Sequence, residues 1–142
     1  MKYYDLIELI KRTSLKHPLV ATFFLDKYAL SGGETDIDYG VISLLTEEFR
    51  IGQDINVYNF KILYADMVHN GNELQIESTA IAVLNEIMNE LSKSVYIMYP
   101  LSVNTFRYQF ADMCAGAIAD VSITVRSDMG SCSDLENDIC SL

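Results

Sequence analysis

Residues 39–68 read YGVISLLTEEFRIGQDINVYNFKILYADMV, and this stretch decides the fold. Its first half, Tyr39 to Phe49, contains the run Val41-Ile42-Ser43-Leu44-Leu45. Its second half, Asp54 to Val68, contains Ile55, Val57, Phe60, Ile62, Leu63, Tyr64 and Met67. β-Branched and aromatic side chains suit a pleated surface buried on one face. The link Arg50-Ile51-Gly52-Gln53-Asp54 carries one glycine in polar company, so the spacing predicts a hairpin of two long strands. His69-Asn70-Gly71-Asn72 supplies the turn that ends the second strand.

Downstream, Ile76, Ala80, Val83, Leu84, Ile87, Met88 and Leu91 recur at helical spacing. Asn85, Glu86, Asn89 and Glu90 fall on the opposite side. A helix is expected over Ser78 to Leu91, with Ser78 as a candidate N-cap and an earlier start left open. Upstream, Tyr3, Leu6, Ile7, Ile10 and Ser14 share one face of a helix over residues 2–15. Pro18 stops it, because a residue before proline avoids helical geometry. Leu19 to Leu25 is a candidate first strand, with a helix as the alternative, and Ser31-Gly32-Gly33 then breaks the chain. Val95 to Tyr99, Thr105 to Phe110 and Ala117 to Val125 read as closing strands. The expectation is one α+β domain over residues 1–126, in which two helices lie on a mostly antiparallel sheet. Residues 127–142, rich in Gly, Ser, Asp, Glu and Asn, read as an acidic polar tail or docking arm.

The chain has 142 residues, half of them hydrophobic and 21% charged, which fits a globular domain and not a disordered segment. No apolar run approaches the ~20 residues of a membrane span. Charged Glu8, Lys11 and Arg12 come too early for a signal-peptide core, so synthesis in the cytosol is expected. Cys114, Cys132 and Cys140 have no regular spacing and do not read as a disulfide framework. Cys114 lies in an apolar stretch and reads as a buried small hydrophobe.

The net charge of −10 is unevenly spread. Residues 1–27 carry five bases against three acids, and residues 28–92 carry eleven acids against two bases. Wrapping a phosphate backbone needs clustered Lys and Arg, so the chain is not a nucleic-acid binder of that kind. A basic end and an acidic body could attract one another between subunits, with Lys11, Arg12 and Lys16 as candidate contacts. The simpler reading of the acidity is solubility.

Each active-site template lacks a required part. No HExxH, GxSxG, GxGxxG or GxxxxGK[ST] segment exists. His17 reads as an exposed cap at a helix end, and His69 as a surface residue beside a turn. Glu34, Asp36 and Asp38 form the tightest acidic cluster, but the full EF-hand pattern of oxygen ligands is missing. Glu47 and Glu48 are adjacent, and neighbours on a regular strand point to opposite faces, which argues against a carboxylate dyad. No catalytic, cofactor or metal site is therefore expected.

A family likeness enters along the later chain. Tyr58-Asn59-Phe60-Lys61-Ile62-Leu63-Tyr64-Ala65-Asp66-Met67-Val68 precedes Asn72-Glu73-Leu74-Gln75-Ile76-Glu77-Ser78 and the helix. Asn104-Thr105-Phe106, Phe110-Ala111-Asp112, Ala115-Gly116 and the strand Ala119 to Val125 follow, then Cys132. With the N-terminal helix and Tyr39-Gly40-Val41-Ile42-Ser43-Leu44, this resembles structural proteins of tailed phages, in particular crAss-like phages, over roughly residues 2–132. The layout is similar to the tail-terminator and neck-ring fold. The resemblance implies a virion component with no enzymatic role, forming a homo-oligomeric ring in the head-to-tail connector or tail. Its partners would be copies of itself and neighbouring connector or tail proteins, with DNA only as passing cargo and no membrane. On that implication Glu34, Asp36, Asp38, Glu47 and Glu48 are candidate DNA-repelling acids of the lumen or rim. The alternative is a small acidic adaptor domain that binds one partner protein through residues 128–138.

Overall fold

A computed structural model describes residues 1–25, 38–109 and 113–126, apart from the side chains of Tyr108 and Gln109. The elements run α1 (Tyr3–Leu15), β1 (Thr22–Phe24), β2 (Val41–Ile51), β3 (Ile55–Met67), α2 (Glu73–Leu91), β4 (Tyr96–Ile97), β5 (Ser102–Gln109) and β6 (Cys114–Arg126). The architecture is α+β, two helices on a six-stranded, mostly antiparallel sheet. Strand order is β1-β2-β3-β6, with β4 and β5 both on the far edge of β6. β1 pairs parallel with β2, and every other pairing is antiparallel.

The centre is the β3–β6 ladder, which keeps one register from Ile55↔Arg126 to Met67↔Cys114. Period-2 alternation divides its side chains between two faces. Tyr58, Phe60, Ile62 and Tyr64 of β3 and Ala117, Ala119, Val121, Ile123 and Val125 of β6 join the core beneath the helices. The expected stripe of α2, Ile76, Ala80, Val83, Leu84, Ile87, Met88 and Leu91, is buried there, and Leu6, Ile7 and Ile10 of α1 complete it. Each such side chain contributes about 1.5–3 kcal/mol on leaving water. The helix-free face holds a smaller buried group of Val41, Leu63, Ala65, Phe106 and Cys114.

One turn is set by backbone geometry. Asn70 (φ 54°) and Gly71 (φ 76°) both adopt the left-handed conformation, and the Asn72 side chain accepts the His69 N–H at 2.7 Å. Asparagine and glycine visit that region at low cost, which explains how this stretch ends β3 and starts α2.

Two sequence expectations need correction. α2 begins at Glu73, so Ser78 lies inside the helix and does not cap it; Asn72 holds the N-cap position. The first strand is three residues long, not seven. Ile118 belongs to the helix-free face, because β6 alternates and Ala119 is its core neighbour. The Ser31-Gly32-Gly33 break, Phe110, Cys132, Cys140 and the tail 127–142 lie outside the described residues.

Candidate assembly surfaces

The β2–β3 hairpin carries the least buried part of the sheet. Residues 41–44 of β2 are buried, whereas 46–51 are exposed. Ile51 is 84% exposed, Ile55 49% and Phe49 38%. Phe49 and Ile51 stand on β2 and Ile55 on β3 across the turn, and exposed apolar side chains of this kind are candidates for contact with another chain. Among the described residues, only Val41, Ile42 and Ser43 of β2 have a partner on the β1 side. Behind the hairpin, Phe49 stacks at 5.0 Å from Tyr3 and 5.1 Å from Tyr58, so the aromatic base is held by α1.

A bulge overturns the reading of Glu47 and Glu48. The β2–β3 register passes from Thr46↔Phe60 to Phe49↔Tyr58, so two residues face Asn59 alone. The extra residue resets the alternation. Both glutamates therefore line one depression of about 270 Å³ on the helix-free face, with Asn59, Asp120 and Ser122. Ser122 Oγ donates to Asn59 Oδ1 at 2.5 Å across the floor. Lys61 bonds Asp120 at 3.1 Å; that bond, then the charges of Asp120 and Glu47, raises its pKa above the ordinary lysine value. Three acids against one base leave the depression negative.

Asp38 is not part of it. It lies before β2, where its carbonyl accepts the Thr22 hydroxyl at 2.7 Å, nine residues before Glu47. Glu34 and Asp36 lie outside the described residues. The five acids expected to act together are thus one pair, one separate residue and two undescribed ones.

Lys11, Arg12 and Lys16 are all exposed on α1, beside exposed Leu15 and Leu19. Arg12 Nε donates to the Glu8 carbonyl at 3.4 Å, and Lys16 lies close enough to help lower the Glu90 pKa, although the Lys93 bond at 2.9 Å is the main cause.

His17 is not an exposed cap: its side chain is 11% exposed. Nδ1 accepts the Leu19 N–H at 3.1 Å, so the ring proton of the neutral form sits on Nε2, which donates to Glu86 at 2.5 Å. The histidine ties the end of α1 to α2. His69 is exposed, as expected, and Cys114 is fully buried, as its apolar stretch implied.

Sequence reasoning missed one ionic group entirely. Glu77, 9% exposed, receives two bonds from Arg107 of β5, Nε at 3.0 Å and a terminal nitrogen at 2.8 Å. The Arg107 bond is the main reason its carboxyl sits below the ordinary glutamate range, and a Thr105 bond adds to it. A Glu three residues after Leu74 and four before Ile81, outside both the apolar stripe and the wet face, gave no signal; only the β5 register reveals its partner. This pair fastens α2 to β5.

Among the described residues, no three or more His, Cys, Asp or Glu side chains gather closely enough to hold a metal ion. No described helix is long and apolar enough to cross a membrane. Comparison of the chain with protein-family models and with curated proteins gives no match.

Proposed function

We propose that this chain is a structural protein of a tailed-phage virion, assembling as a homo-oligomeric ring in the head-to-tail connector or tail through which DNA passes. The observation that carries the reading is the exposed end of the β2–β3 hairpin, with apolar Phe49 and Ile51 on a β2 edge unpaired among the described residues and exposed Ile55 across the turn. Such an end is costly to leave in water and gains by meeting another chain. The resemblance in element order to tail-terminator and neck-ring proteins supports the choice of assembly. The net charge of −10 fits a channel that lets a polyanion slide without gripping it.

The test is native mass spectrometry of the purified chain, followed by negative-stain imaging of the assembled species. A closed oligomer with a central opening is expected. A monomer at every concentration, with no binding to connector or tail proteins, would overturn the reading.

A further inference from the structure

The chain carries two complementary surfaces that cannot meet within one copy. One is the helix-free face near the hairpin end: Glu47 and Glu48 on their depression, with exposed Ile55 on the same face. The other is the outward side of the C-terminal half of α1 and the turn after it: Lys11, Arg12 and Lys16, with exposed Leu15 and Leu19. Among the described residues, Lys11, Glu47 and Glu48 form no ion pair.

Their positions follow from the topology. The basic surface ends beside the start of β2, because the Leu19 carbonyl accepts the Tyr64 hydroxyl and Ala21 N–H donates to the Gly40 carbonyl. The acidic depression opens on the other face of the sheet, away from both helices. Two different patches of opposite sign on opposite faces define a head-to-tail contact, the kind that closes rings.

We infer that the basic, apolar face of α1 in one copy docks on the acidic, apolar hairpin end of the next. This rests on the assembly reading and names its contact. It places Glu47 and Glu48 at a subunit junction and not along a channel wall. The depression of about 270 Å³ has room for the stem and ammonium of a lysine. Lys11 is the natural occupant, being exposed and unpaired among the described residues. Leu15 and Leu19 would then cover Ile55, while desolvation strengthens the charge pairs.

The experiment is sedimentation velocity on the full chain over a range of concentrations, with three variants. The first reverses the basic face (Lys11→Glu, Arg12→Glu, Lys16→Glu). The second reverses the acidic end (Glu47→Lys, Glu48→Lys). The third combines all five. Every position is exposed, and circular dichroism verifies folding of each variant. Either reversal alone should weaken association at least tenfold, and the combination should restore it. If the native chain associates and the reversals change nothing, or the combination fails to restore, this contact is wrong and the assembly reading stands. If the native chain never associates, both fall.

Discussion

Arg107 on β5 holds Glu77 on α2 with two parallel bonds, at 3.0 and 2.8 Å, and Glu77 is nearly shut off from water. The planar guanidinium matches the two carboxylate oxygens, a geometry lysine cannot reproduce. Replacing Arg107 with Met leaves a carboxylate in the interface without its main partner, which costs more than removing both groups. Thermal unfolding should therefore show Arg107→Met less stable than Arg107→Met with Glu77→Met. The pH dependence has a definite sign. The folded-state pKa of Glu77 is depressed, so its contribution is present above the unfolded value and is lost as pH falls through the folded one. The midpoint of native protein should drop on acidification below about pH 4.5, and more shallowly in Glu77→Gln.

Gly116 on β6 sits against the backbone of Tyr64. A Cβ built there falls 1.8 Å from the Tyr64 carbonyl oxygen, near the Met67↔Cys114 end of the longest ladder. The neighbour is main chain and cannot swing aside. Gly116→Ala should cost at least the usual 1–3 kcal/mol of overpacking, about the upper end of that range. Urea unfolding measures it; an unchanged midpoint would show that the strands separate freely at this point.

Ser43 is fully buried on β2, and its hydroxyl has no hydrogen-bond partner among the described residues. Burial of an unpaired hydroxyl costs about 1–3 kcal/mol. Ser43→Ala removes that cost at the loss of one oxygen's packing and should raise stability by about 1 kcal/mol. A lower urea midpoint for the variant would mean that the hydroxyl has a partner in solution.

Tyr64 is 2% exposed, and burial, with the charge of Asp66, pushes its phenol up to about 12. A raised pKa means that the neutral phenol is favoured in the fold. Stability from this group is present below about pH 10, the unfolded value, and is lost between there and about 12. Ultraviolet titration should show one late tyrosine that is missing in Tyr64→Phe.

The neutral tautomer of His17 is set by its two neighbours. Leu19 N–H points at Nδ1, so the proton belongs on Nε2 toward Glu86. Long-range nitrogen–proton correlation spectra should show the Nε2–H form at pH 8. An Nδ1–H pattern would mean that the α1–α2 tie is made differently. His17→Phe keeps the volume and loses both bonds, and should lower stability by about 1–3 kcal/mol.

Most elements were legible in the chain because their signals are local. The α2 stripe from Ile76 to Leu91 and its wet face at Asn85, Glu86, Asn89 and Glu90 appear as read. The long hairpin appears with its turn in place, since alternating apolar residues around Gly52 leave little choice. The α2 start was misplaced at Ser78 because a serine before a stripe looks like a cap, whereas the left-handed Asn70-Gly71 turn sets the start earlier.

The surfaces were legible only in part. Sequence alone determined the residue types: an acidic body, a basic first helix, apolar stripes and a hairpin. These follow from side-chain chemistry and from periodicities of about 3.6 and 2, which need no partner to be read. Tertiary structure alone decided where those groups point. The bulge opposite Asn59 put Glu47 and Glu48 on one face, β5 brought Arg107 to Glu77, and α2 brought Glu86 to His17. Register and packing join residues distant in the chain, and a one-residue shift in register moves a side chain to the other face of a sheet.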